Sequence, residues 1–261
     1  MIKIDKSQFW LDILTNIESN IVDSSLNRLF VSPILVDESN KELTIDDLVT
    51  NYSKVQLVGP EGSGKTTILR RIHDTLLTDN RVREAYGNLI PVYMDLKNKE
   101  KFNPHNYFMK YNNRYDETTV KKEVLEAIGN KQLICFLDNT KEIPLTNCKA
   151  IVTSNKDLNL PKIYIAPITR DYLKMRFFYL HLDYYTDLSD IEIIREVDTL
   201  MLNPKVENAT TFKELRNIFN SIIDENRGDK YLQIFYIFLV TMAILSIVYI
   251  ALLTLIILSQ W

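Results

Sequence analysis

The chain has 261 residues, 46% hydrophobic and 25% charged, so it carries enough apolar material for a full core and is neither collagen-like nor broadly disordered. Its formal charge of −3 supplies no cationic surplus to neutralise phosphates along a nucleic acid, and no nucleic-acid partner is expected. Two cysteines without metal-ligand spacing argue against a zinc site or a disulfide framework, and the polar start MIKIDKSQFW lacks the apolar segment of a secretory signal.

Residues 1–50 read as an N-terminal helical and extended segment packing on the core, with Phe9, Trp10, Ile13, Leu14 and Ile17 on one helix face. A nucleotide-binding domain is expected over 51–168. There the apolar run Val55–Val58 enters a glycine loop, and a helix follows with Ile68, Leu69, Ile72 and Leu76 on its buried face. Ile90–Met94 reads as a second strand, and Pro91 assigns it to a sheet edge or a strand start, because proline cannot donate to the ladder. Asp116 is expected to cap a helix carrying Val120, Val124, Leu125 and Ile128 that Gly129 closes. The runs 132–137, 150–153 and 162–165 supply three more strands. This alternation predicts the α/β class: a parallel sheet flanked by helices.

From Arg170 the pattern becomes helical, with capping boxes at Ser189-x-x-Glu192 and Thr211-x-x-Glu214, and a small helical subdomain is expected over 169–227. From Tyr231 to Leu258 no charged residue occurs. About 28 residues at about 1.5 Å each make a helix of about 42 Å, enough to cross a hydrocarbon core of about 30 Å once. Arg227 and Lys230 precede this run and no charged side chain follows it, which predicts a single-pass cell-membrane protein with its N-terminal body in the cytoplasm and the lipid bilayer as partner. Arg227-Gly228-Asp229 is the expected hinge.

The chemistry concentrates in Gly59-Pro60-Glu61-Gly62-Ser63-Gly64-Lys65-Thr66, a complete G-x-x-x-x-G-K-[ST] motif between a strand and a helix, with Thr67 continuing the helix start. Glycines allow successive backbone N–H groups to converge on phosphate oxygens at the positive end of a helix. Lys65 is expected to reach the β- and γ-phosphates of ATP or GTP, and Thr66 to offer its hydroxyl to Mg²⁺. Such a site needs a carboxylate at the end of a neighbouring strand, and Leu133–Asp138 supplies Asp138 as the second metal-holding residue. Glu142, four residues on, is either the group that orients the attacking water or a solvated loop glutamate beside Lys141.

With these segments in place, the order resembles the NACHT branch of the STAND NTPases, the class of NOD-like immune receptors and bacterial defence ATPases. VQLVGPEGSGKTTILRRI is similar to their P-loop and first helix, IPVYMDL to their second strand, LICFLDNTKEIP to their extended Walker B and AIVTSN to their sensor-1 strand. IAPITRDYLKMRFF resembles the start of their helical subdomain. LMLNPKV resembles a later Asn-Pro segment, which makes Pro204 a candidate adenine contact. The departures are Asn139 for a glycine, Lys141 for the first acid of an Asp-Glu pair, which leaves Glu142 as the family-matched acid, and Asn155 for an arginine that senses the γ-phosphate. No winged-helix subdomain or sensor repeats are recognisable. The resemblance implies an ATP-dependent switch that assembles with itself or a partner protein, plausible in antiviral or stress defence, with slow hydrolysis and Arg170 as a cation donated in trans. The alternative is a weakly hydrolysing membrane scaffold or adaptor that recruits a partner.

Overall fold

The computed structural model describes residues 5–21, 28–97, 102–142 and 147–222. Its seven strands are β1 (Leu35–Val36), β2 (Glu42–Leu43), β3 (Lys54–Val58), β4 (Ile90–Asp95), β5 (Leu133–Asp138), β6 (Lys149–Thr153) and β7 (Lys162–Ile165). They form one sheet in the order β2-β1-β7-β3-β6-β5-β4. From β7 to β4 the pairs are parallel, while β1 joins β7 and β2 antiparallel.

The middle of the sheet explains why these residues became strands. Every residue of β5 is buried, as expected for a parallel strand covered on both faces. Its side chains divide with period two: Leu133, Cys135 and Leu137 enter one apolar cluster, Ile134 and Phe136 the other. On the first face lie Phe9, Ile13 and Ile17 of α1 (Lys6–Ile21), Phe108 of α5 (Pro104–Tyr111) and Val120 and Val124 of α6 (Glu117–Gly129). On the second lie Leu48 of α2 (Ile45–Thr50) and Ile68, Leu69, Ile72 and Leu76 of α3 (Lys65–Thr78), with Val82 of α4 (Asn80–Ala85) at its margin. Burying one such aliphatic or phenyl side chain contributes about 1.5–3 kcal/mol. The expected apolar face of the N-terminal helix is therefore a packing surface, with Trp10 half-buried at its edge.

β4 occupies the sheet edge, where Pro91 costs no ladder bond on its open side. Helix α6 is capped as anticipated, since Asp116 accepts from the Thr119 N–H. Two expectations about it need correction. Leu125 is 59% exposed and faces away from the core. The turn that ends the helix is made at Lys131, in the left-handed region at φ 56°, after the Asn130 cap, and Gly129 is merely the last helical residue.

Beyond the sheet come α7 (Asp171–Tyr185), α8 (Asp190–Met201) and α9 (Pro204–Glu207). The Ser189–Glu192 capping box opens α8, and the Thr211–Glu214 pair opens a helix starting at residue 212. The chain divides into a compact unit Met1–Leu215, which takes in the sheet and α7–α9 together, and a second unit Arg216–Trp261. In the second, residues 216–222 are helical. The predicted membrane helix Tyr231–Leu258 and the hinge before it lie outside the described residues. Among the described residues no helix is long and apolar enough to cross a membrane.

Candidate nucleotide-binding site

The parallel strands β3, β6 and β5 bring their C-terminal ends side by side, the place where open α/β sheets hold ligands. β3 delivers the chain into Gly59–Gly64, and α3 begins at Lys65. Gly62 and Gly64 take φ of 80° and 100°, values that a side chain disfavours, and they curl the loop. At Gly59 a Cβ would stand 2.7 Å from the Ser63 hydroxyl. Ser63 Oγ is buried with no hydrogen-bond partner. A buried hydroxyl without a partner is costly unless a ligand oxygen satisfies it. This observation, independent of the motif, fits a phosphate group.

Lys65 folds over the loop, its Nζ donating to the carbonyls of Gly59 at 2.6 Å and Pro60 at 2.8 Å. Burial lowers its pKa, and the nearby carboxylates of Asp138 and Glu61 oppose that shift. Thr66 donates its hydroxyl to Asp138 Oδ2. Asp138, at the end of β5, is buried, and its other oxygen accepts from the hydroxyl of Thr153 at the end of β6. The same Thr153 oxygen accepts from the Asn139 N–H at 2.9 Å. A divalent cation would be held by Thr66 and Asp138, the hydroxyl and carboxylate on which hard oxygen-seeking ions depend.

Asn139, where the resemblance led one to expect glycine, sits in the left-handed region at φ 58°. Asparagine is the non-glycine residue that accepts this conformation most readily, so the backbone turn is retained without glycine. Its side chain donates to Asp95 Oδ1 at 3.0 Å, linking the ends of β5 and β4, whose residues Asp95 and Asp138 are register partners. Glu142 is exposed in the following turn, fastened by its backbone: its carbonyl accepts from Thr140 Oγ1 at 2.8 Å.

The expected residues therefore fall into two groups. Gly59, Pro60, Glu61, Gly62, Ser63, Gly64, Lys65, Thr66 and Asp138 converge, and Thr67 lies half-buried in the first turn of α3. Glu142, Pro204, Asn155 and Arg170 form the second group, and all four are exposed. Pro204 is the exposed first residue of α9. Buried Lys174 of α7 donates to the Val206 and Glu207 carbonyls of that helix. Asn155 is exposed. The Arg170 guanidinium pairs with Glu42 of β2, an engagement that competes with any role in a neighbouring subunit.

Two contributors were not anticipated. Thr153 was placed in a strand but given no role, although it ends an apolar run in a polar residue just as Asp138 does. The segment after α9 also reaches the phosphate loop: the Lys213 N–H donates to the Gly62 carbonyl at 3.3 Å, Lys213 Nζ pairs with Glu61, and Phe212 lies against Gly64. A Cβ on Gly62 would stand 2.3 Å from that of Lys213. The capping box announced a helix start there, but its docking partner is a tertiary contact with no local pattern.

No protein-family model matches the sequence, and no curated protein matches it. Among solved structures, a DNA replication initiation factor is similar over 71% of this chain at 13% identity and a TM-score of 0.37, and the chain covers 61% of that protein's length. PCH-2 of C. elegans is similar over 86% of this chain and 69% of its own, at 12% identity and a TM-score of 0.28. Likeness at this level carries no functional argument, and the strand order and the loop geometry stand on their own. The mixed α/β architecture fits a P-loop NTPase-like fold.

Proposed function

We propose that this chain binds ATP or GTP with Mg²⁺ and works as a NACHT-like nucleotide switch with slow hydrolysis. The observation that carries the reading is the convergence of Lys65 and Thr66, at the start of α3, with Asp138, at the end of β5, around a loop whose Ser63 hydroxyl has no protein partner. When bound, Mg²⁺ would screen the phosphate charge and orient the terminal phosphoryl group. Lys65 supplies the cation at the β- and γ-phosphates, the loop amides the remaining donors, and Glu142 the group that positions water. The run 231–258 anchors the cytoplasmic body to the cell membrane. Assembly with like subunits or a partner protein completes the site, in antiviral or stress defence.

A second reading, the weakly hydrolysing scaffold or adaptor, is favoured by one feature. The loop that bears Glu142 leaves its carboxylate exposed. The test is titration of ATP·Mg²⁺ into the full-length chain, with turnover measured on the same preparation in liposomes of rising protein density. Density-dependent turnover supports the switch, and binding with negligible turnover at every density supports the scaffold. Absence of Mg²⁺-dependent binding removes both. Recovery of the full-length chain in the carbonate-soluble fraction would contradict the anchor.

A further inference from the structure

Helix α3, β4, α5 and the end of α1 line an open cavity of about 600 Å³ that the nucleotide reading does not use. That volume lies within the range of small-molecule sites, about 300–1,000 Å³. Helix α3 connects the two places: Thr66, Arg70 and the pair His73–Asp74 succeed one another at the three- and four-residue spacing of a single helix face. Thr66 bonds Asp138, and Arg70, His73 and Asp74 line the cavity.

The floor is polar yet closed to water. His73 is 1% exposed and Asp74 3%. His73 Nδ1 lies 2.9 Å from Asp74 Oδ1, and its Nε2 lies 3.2 Å from the Tyr107 hydroxyl. Burial lowers the imidazole pKa, against the opposing pull of Asp74, and burial raises that of Tyr107. The ring is thus engaged at both nitrogens, by Asp74 on one side and the Tyr107 hydroxyl on the other. Such an ordered chain makes a rigid base. The walls are the half-buried rings of Tyr93 and Tyr111, and the rim holds two exposed cations. The Arg70 guanidinium lies 5.4 Å from the Tyr93 ring centre, and the Lys110 ammonium 5.2 Å from that of Tyr111. A ligand whose anionic group engages either cation therefore has an aromatic ring within reach of the rest of it.

We propose that this cavity binds a second ligand beside the nucleotide, a small planar ring bearing one anionic group. Both an aromatic carboxylate and a nucleoside monophosphate have this chemistry. The ring lies between the tyrosine walls, where stacking is favourable, and the anion meets Arg70 and Lys110 at the rim. A purely apolar ligand leaves the two rim cations unmatched. The cavity also borders Asp95, which is tied through Asn139 and Thr153 to Asp138. A ligand there stands at the end of a hydrogen-bonded chain that reaches Asp138, and whatever coupling that chain transmits acts equally on both ligands' affinities.

The proposal goes beyond the nucleotide reading and can be tested apart from it. The experiment is calorimetric titration of 4-hydroxybenzoate and, separately, AMP into the full-length chain and its Lys65→Ala, Arg70→Ala and Lys110→Ala variants. At least one probe should bind, with an affinity unchanged by Lys65→Ala and weakened roughly tenfold by each rim variant, the loss expected for one charge-assisted contact. Binding of both probes assigns the shared chemistry, and binding of one assigns its anion. The rim side chains are exposed, so these variants keep the fold, which circular dichroism verifies. Absence of binding by both probes up to about 1 mM overturns the proposal. AMP binding lost in Lys65→Ala with no benzoate binding, or binding indifferent to both rim variants, does the same.

Discussion

Toward α3 and β6, Asp138 is held on both carboxylate oxygens: Thr66 and Thr153 donate to it, and Thr153 is itself fixed by the Asn139 amide. Toward the following loop the construction changes. Asn139 and Thr140 are still bonded to Thr153, but Lys141 and Glu142 are exposed, and the loop holds Glu142 through its main chain. The phosphate-loop side is hydrogen-bonded around the buried Ser63 and Asp138, whereas the turn that carries Glu142 is exposed. A group that must bind a charged ligand gains from fixed dipoles, and one that must place water gains only once its loop is fixed. On the proposed nucleotide reading, the difference teaches that affinity and turnover are separable.

The largest test of that contrast is Lys65→Ala. Removing the ammonium leaves the backbone cradle without its side-chain cation, and ATP·Mg²⁺ affinity should fall by about 10- to 100-fold, the scale of a lost charge-assisted bond. Equal affinity in parent and variant would show that the loop is not a phosphate site. Next in size is Thr153→Ala, which strips one donor from buried Asp138 and orphans the Asn139 N–H. Chemical denaturation should register a loss of about 1–3 kcal/mol, and Thr153→Ser should recover most of it. If serine does not rescue, packing of the methyl group rather than the hydroxyl matters.

Helix α3 should make its own contribution visible through pH. His73 has its pKa lowered by burial, with Asp74 pulling the other way. The unfolded chain therefore takes up a proton at His73 near pH 6.5 that the folded chain takes up only at lower pH. Stability is complete above about pH 6.5 and declines below it, by at most about 1.4 kcal/mol per pH unit for this one proton. Thermal unfolding of parent and His73→Gln between pH 7.5 and 5.5 measures it. A variant that loses stability as steeply as the parent would assign the slope elsewhere. The smallest effect is expected for Lys213→Ala, because its ion pair with Glu61 is largely exposed, 55% and 87% at the two side chains. It should cost under about 1 kcal/mol and vanish in high salt. A larger loss would make the docked helix start a structural support of the phosphate loop.

How much of this was legible in the sequence follows from the range of each interaction. The P-loop and its helix are local: glycine spacing, an apolar run before and a 3.6-residue stripe after, all within about twenty residues of one another. Asp138 was legible because a strand that ends in a carboxylate has a local pattern, and Pro91, through the bond it cannot make, left β4 a sheet edge or a strand start, of which the fold shows the edge. Leu125 was misjudged because a helical stripe does not reveal how wide the covering sheet is. Thr153, Lys213 and the His73–Tyr107 contact join residues remote in sequence, and no periodicity encodes them. Propensity assigns the helix stop to Gly129, whereas the left-handed turn falls at Lys131, closed locally by the Lys131 N–H on the Ile128 carbonyl and the Gln132 N–H on that of Ala127.

The central claim, that this site is organised for holding nucleotide more than for consuming it, is tested most directly by measuring bound ATP and its turnover on one preparation of the full-length chain at low density, beside Glu142→Gln. The account predicts Mg²⁺-dependent binding with a turnover well below about 1 s⁻¹, the lower end of ordinary enzymes. It also predicts that Glu142→Gln lowers that rate further without changing affinity. Fast turnover in the dispersed chain, or a Glu142→Gln variant that hydrolyses at the parental rate, would contradict it.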